Sequence, residues 1–167
     1  HPMSQGIALE GMRLVKTYLP QAYADGSDIE ARAQMMSAAA MGATAFQKGL
    51  GAIHALSHPI GAIYNTHHGT TNAVCMPAVL QFNKSLVNEK LASAANYLNI
   101  CGGFEGFCDF VNKLNASLGI PKSLTEMGIK NMDIERVVDG AISDPSAGGN
   151  PIKLTRENTR ELLLSCC

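Results

Sequence analysis

Four of the chain's five histidines fall within residues 49–83: His54, His58, His67 and His68. An imidazole can ligate a metal through its neutral ring nitrogen or carry a proton near neutral pH. His54 and His58 are spaced i, i+4, so a helix stacks them on one face. Tyr64-Asn65-Thr66 is a short polar turn after them. A chain that doubles back there returns His67 or His68 toward the first pair. Two or three imidazoles meeting at one point suit a transition metal. Two unrelated surface histidines would show the same i, i+4 spacing, so the pair alone does not decide.

The helix that carries the pair has an unusual face. Stepping back from His58 by four, three and four residues reaches His54, Gly51 and Gln47. A face made for packing would carry Leu, Ile or Val there. This one leaves room beside the imidazoles, and it makes Gln47 a candidate substrate contact. Gly49, Gly51, Gly61 and Gly69 would each cost a helix interior about 1 kcal/mol, so close approach explains them better than propensity. Pro59 removes a backbone donor and disfavours helical geometry at His58, which predicts a kink or break there.

The whole chain has 167 residues, 46% apolar and 16% charged, with a net charge of −1. That is an ordinary core-forming composition. No basic patch argues for nucleic acid, and no apolar run approaches the roughly 18 residues of a membrane span. The five cysteines have neither C-x-x-C spacing nor a paired framework, which predicts reduced thiols in a cytoplasmic protein.

Helical periodicity dominates. Ser4 is a plausible cap for a first helix that Pro20 interrupts. Ser27 or Asp28 caps a second, running to about Lys48. Further helices are predicted over 50–64, 71–82 (kinked at Pro77), 89–98, 104–118 and 133–142, with a last one starting at Thr155. Residues 143–151 read as a loop, with Gly148-Gly149 a turn. No stretch alternates cleanly enough for a strand, and no glycine-rich nucleotide fingerprint is present. The expected fold is all-α: an irregular or orthogonal bundle of seven to nine helices, several broken by proline, forming a single domain over 1–167.

Residues 49–83 also resemble a long signature of the iron-containing (group III) alcohol dehydrogenases. That pattern runs G-L-G-x-x-H-x-x-x-H-x-x-G, then P-H-G-x-x-N-A-x-x-x-P-x-V-x-x-F-N. Gly49, Leu50, Gly51, His54, His58, Gly61, His68, Gly69, Asn72, Ala73, Pro77, Val79, Phe82 and Asn83 fit it. His67 departs from it, standing where many members have proline. P-M-S-Q-G-I-A-L-E-G-M-R-L-V near the start and G-G-N-P-I-K-L-T near the end extend the likeness over nearly the whole chain.

The resemblance implies a two-domain enzyme: an N-terminal α/β domain for NAD or NADP and a C-terminal helical domain for the metal. The metal is Fe(II), with zinc possible, held by one aspartate and three histidines. His54 and His68 match two of those histidines. His58 matches a non-ligand histidine beside substrate and nicotinamide, which makes it the catalytic candidate. The remaining ligands belong to a D-A-x-x-H motif that this sequence lacks, so the chain is expected to be a piece of a longer enzyme, inactive alone. The implied reaction oxidises a small alcohol or hydroxy acid to the carbonyl by hydride transfer. The implied partners are that substrate, the nucleotide-binding domain of the same protein and a second copy in a homodimer, with no nucleic acid and no membrane. The alternatives are a non-catalytic helical metal-binding or interaction module, and a zinc enzyme of the glycerol dehydrogenase kind.

Overall fold

The computed structural model describes all 167 residues and contains only helices, turns and loops. Seven α-helices follow one another: α1 (Pro2–Ala24), α2 (Ile29–Ala45), α3 (Ala52–Tyr64), α4 (His68–Tyr97), α5 (Gly103–Ser117), α6 (Ile134–Ser143) and α7 (Arg156–Ser165). Two 3-10 turns, Phe46–Lys48 and Pro145–Gly149, sit before α3 and after α6. The all-α class and the helix number agree with the sequence reading. No helix is long and apolar enough to cross a membrane.

The contacts divide the chain into two compact units. The first comprises His1–Lys48 and Glu89–Phe110. Here α1 and α2 pack on each other, with Gly11 of α1 facing Met41 and the Ala38 carbonyl. Asp28 caps α2 by accepting from Ala31 N at 2.9 Å. The Lys16 ammonium donates to the Leu98 carbonyl at 2.7 Å, where α4 has just ended. That end is a left-handed stop: Asn99 has φ 54°, and Ile100 N donates back to Ala95 O at 2.8 Å.

The second unit comprises Gly49–Asn88 and Val111–Cys167. Its core is built on α3: Ala52, Ala55, Leu56 and Ile60 are fully buried against residues such as Val74, Leu124, Val137, Val138 and Leu163. Gly140 on α6 lies directly over the Pro59 ring; a Cβ there would stand 2.6 Å from Pro59 Cβ. Thr155 and Asn158 close a reciprocal cap at the start of α7.

Several boundaries differ from the sequence reading. The first helix starts at Pro2 rather than at Ser4, since proline suits the first helical position. Pro20, Pro59 and Pro77 all lie inside helices that run on past them. Each deletes one backbone bond, but packing of the surrounding turns outweighs that loss. The helices expected over 71–82 and 89–98 are one helix, α4. The polar stretch between them holds neither glycine nor proline, so nothing there stops a helix.

Candidate metal and proton-transfer site

The site lies wholly in the second unit. Gly49 has φ 122°, a conformation suited to glycine, and the chain enters α3 only at Ala52. Residues 49–51 are therefore not helical, and the stripe from Gln47 to His54 is interrupted there. From Ala52 onward α3 carries His54 and His58 on one face, with ring centres 5.6 Å apart. It ends at Asn65, left-handed at φ 53°. The chain turns at once into α4, whose first residue is His68. This brings the His68 ring to 5.3 Å from His54 and 5.4 Å from His58.

The adjacent histidine goes elsewhere. His67 is exposed, and its Nδ1 accepts from Thr70 N at 3.3 Å, the bond an N-cap side chain makes. It lines a separate cleft of about 510 Å³ with Tyr64, Glu126 and Met127.

Two rings of the triangle have side-chain partners of their own. His58 Nδ1 lies 2.8 Å from Asp144 Oδ2, in the loop after α6. Burial pushes the Asp144 carboxyl up, but bonds from Ser146 and His58 outweigh it and hold the group below the ordinary carboxylate range. An ionised Asp144 fixes the tautomer: His58 Nδ1 donates, leaving Nε2 as the basic nitrogen. His68 Nδ1 is 3.5 Å from the buried Ser57 hydroxyl, and its Nε2 is 3.1 Å from Asn72 Nδ2. Asn72 Oδ1 is buried with no hydrogen-bond partner. Burial, and then the neighbouring His68 and His58, lower the pKa of His54 despite the opposing pull of Asp144.

The residues present fit part of a divalent-metal shell. Imidazoles sharing a tetrahedral ion with bonds near 2 Å place their ring centres about 5 Å apart, close to the observed spacing. The lowered His54 pKa favours the free-base ring, the form that ligates. No three His, Cys, Asp or Glu side chains of this chain are arranged to hold an ion by themselves. The donor set is thus imidazole nitrogen, without a converging carboxylate.

Asp144, Ser57 and Asn72 went unseen in the sequence as site residues. Nothing in spacing links position 144 to position 58; the only local signal is Asp-Pro-Ser, a turn-forming run. Gln47 lies in the other unit, exposed, with its amide donating to Ala43 O at 3.4 Å.

The pattern of the Fe-containing alcohol dehydrogenase family, C-terminal, matches residues 1–167, and the chain belongs to that family. Among its relatives, the 4-hydroxybutyrate dehydrogenase of Cupriavidus necator is 36% identical over 98% of this chain and 45% of that protein. The NAD-dependent methanol dehydrogenase of Bacillus methanolicus is 35% identical over 97% of this chain and 45% of that protein. A solved 1,3-propanediol oxidoreductase superposes with a TM-score of 0.94 at 30% identity, covering 100% of this chain and 46% of that one. An alcohol dehydrogenase from Oenococcus oeni shares the fold, with a TM-score of 0.94 at 24% identity over 100% of this chain and 46% of its own. The chain spans less than half the length of the curated relatives it matches.

Proposed function

We propose that residues 1–167 act as one domain, the metal-carrying half of an NAD- or NADP-linked alcohol dehydrogenase. The observation that carries this reading is the triangle of His54, His58 and His68, with His58 braced by Asp144. His54 and His68 would hold the metal, Fe(II) or alternatively zinc, together with ligands from another part of the protein. Bound there, a divalent ion supplies Lewis acidity that lowers the pKa of a neighbouring hydroxyl.

His58 then has a distinct task. Its Nδ1 is committed to Asp144, so Nε2 can take the hydroxyl proton and release it to solvent. Asp144 stabilises the imidazolium that forms. The side chain of His58 is 41% exposed, which gives the proton a way out. The nicotinamide that accepts the hydride would be presented by a nucleotide-binding domain of the same protein. The substrate class we infer is a small polar alcohol or hydroxy acid; relatives are named for methanol and 4-hydroxybutyrate. The same proposal includes a cytoplasmic homodimer.

The test is made on the complete protein that carries this chain. His54→Ala and His68→Ala should each lose bound metal. His58→Ala should keep its metal and lose about 10²–10⁴ in turnover. Equal metal loss in His58→Ala and His54→Ala would make His58 a ligand. A wild type with no metal and no alcohol-dependent reduction of nicotinamide would end the dehydrogenase reading.

A further inference from the structure

Helix α3 begins without a cap of its own. Its N-cap residue is Gly51, which has no side chain to accept from the first turn. An N-terminus of this kind leaves several backbone N–H groups unsatisfied. The missing acceptor comes from 98 residues away: Asn150 Oδ1 lies 3.1 Å from Ala52 N. Ala52 is fully buried with the Asn150 side chain in place, so that oxygen rather than water meets its N–H.

Asn150 is itself held. Its Nδ2 donates to Asn83 Oδ1 at 2.9 Å and to Ile152 O at 2.7 Å. Asn83 Nδ2 returns a bond of 2.9 Å to the same Asn150 Oδ1. Asn83 Oδ1 takes a further bond from Ile152 N at 3.3 Å. Asn83 is 5% exposed, a buried polar residue on α4. Two asparagine amides thus lock face to face, and one oxygen of the pair caps α3.

The backbone is shaped around this contact. A Cβ on Gly149 would stand 1.9 Å from Leu50 O, so only glycine lets the two loops touch. A Cβ on Gly51 would stand 3.0 Å from Asn150 Oδ1. The cap sits two residues before His54. The segment ending in Asn150 begins at Asp144, the partner of His58.

We propose that Asn150, clamped by Asn83, is a positioning residue: by capping α3 from outside, it fixes the helix start and so aims His54 at the site. The inference rests on the dehydrogenase reading for what His54 does, but the anchoring itself does not. A self-capped helix would tie its own first turn without reference to the rest of the unit. Here the direction of His54 is set against α4 and the loop that braces His58, so two of the three imidazoles share one frame. The Asn150 amide spends its hydrogen bonds on Ala52, Asn83 and Ile152 and none on the three rings, so it acts through the helix.

The experiment uses the complete protein, with Asn150→Ala, Asn83→Ala and the double variant Gly51→Ser/Asn150→Ala. Serine at the N-cap ties the first turn locally, accepting from Ile53 N or His54 N rather than from Ala52 N, and removal of the Asn150 amide leaves space for it. Hydrogen exchange at Ala52 is read on the metal-free protein, Zn(II) affinity by chelator competition, and kcat at saturating metal alongside KM for the nucleotide. Asn150→Ala should speed Ala52 exchange and raise the Zn(II) dissociation constant by about 10–100-fold, the usual effect of losing a group that orients a ligand. Nucleotide KM should stay unchanged. Asn83→Ala should move both readouts the same way by less, because Asn150 Oδ1 is loosened but present. The double variant should recover the Zn(II) affinity and slow exchange at Ile53 and His54, while Ala52 stays fast, because a serine N-cap holds the second or third helical N–H.

Unchanged Ala52 exchange would overturn the proposal. So would faster exchange with unaltered Zn(II) affinity and kcat, since that is a purely structural cap. A double variant that regains the cap but not the affinity would also overturn it. If Asn150→Ala does not fold, Asn83→Ala is judged by the same criteria. A wild type that binds no Zn(II) removes the metal reading and with it the aim of His54; the exchange measurement separates that failure from a failure of the cap.

Discussion

One substitution should change sign between two helices of this protein. Gly42 in α2 and Gly140 in α6 both occupy helical positions. On propensity alone, alanine at either should stabilise by up to about 1 kcal/mol. At Gly42 a Cβ would meet nothing within 4 Å, so that gain is realised. At Gly140 the added carbon would stand 2.6 Å from Pro59 Cβ and 3.3 Å from its Cγ. A proline ring cannot rotate aside, and the Pro59 backbone is fixed within α3. Relief must come from moving α6 off α3, and overpacking of this kind costs about 1–3 kcal/mol. The net effect is a loss of about 0–2 kcal/mol, with the clash outweighing the propensity gain. A chain of this size shifts its melting temperature by roughly 2–4 °C per kcal/mol, so the two variants should differ by several degrees in opposite directions. Differential scanning calorimetry or urea unfolding of the purified chain measures both. The reasoning fails if Gly140→Ala raises the melting temperature as Gly42→Ala does.

The remaining predictions concern pH, substrate and self-sufficiency. Glu10 bonds Arg13 and Tyr97, which hold its carboxyl down at about 2. A depressed acid contributes stability above its unfolded pKa of about 4.5 and loses it as pH falls toward 2. Glu10→Gln should therefore flatten the acid limb of an unfolding titration over that window; an unchanged limb would refute the assignment. The complete protein should favour small polar alcohols or hydroxy acids over long apolar alcohols in kcat/KM across a panel, and a preference for the apolar ones would refute that substrate class. The 167-residue chain alone should bind Fe(II) and NAD weakly and form no NADH from alcohols. Sub-micromolar calorimetric binding of either would point instead to a self-sufficient site.

How much of this was legible depended on whether a signal was local. The i, i+4 pair on α3 and the turn at 64–66 are local, and they sufficed to predict that one of His67 and His68 returns to His54 and His58. The choice between His67 and His68 was not legible from spacing, because adjacent residues diverge at a helix start: one becomes the cap, the other the first turn. Asp144 was hidden because its link to His58 crosses 86 residues of sequence. Prolines misled the reading, since their local cost is plain in sequence while the packing that outweighs it is not. Gly148-Gly149 looked like an ordinary turn for the same reason. Only the carbonyl of Leu50 on the other side shows why a side chain cannot stand there.

The segment 144–150 also sets where the gene can change length. Loops ordinarily tolerate inserted or deleted residues well. This one is fastened at both ends to a single helix, by Asp144 to His58 and by Asn150 to Ala52. Those anchor points are six residues apart on α3, about 9 Å at 1.5 Å per residue, and a helix cannot stretch to follow a longer strap. An extra residue would have to bulge outward or release one of the two anchors. Length variation among descendants of this sequence should therefore collect elsewhere, for instance in the non-helical stretch 120–132, and leave the seven residues from Asp144 to Asn150 constant in number.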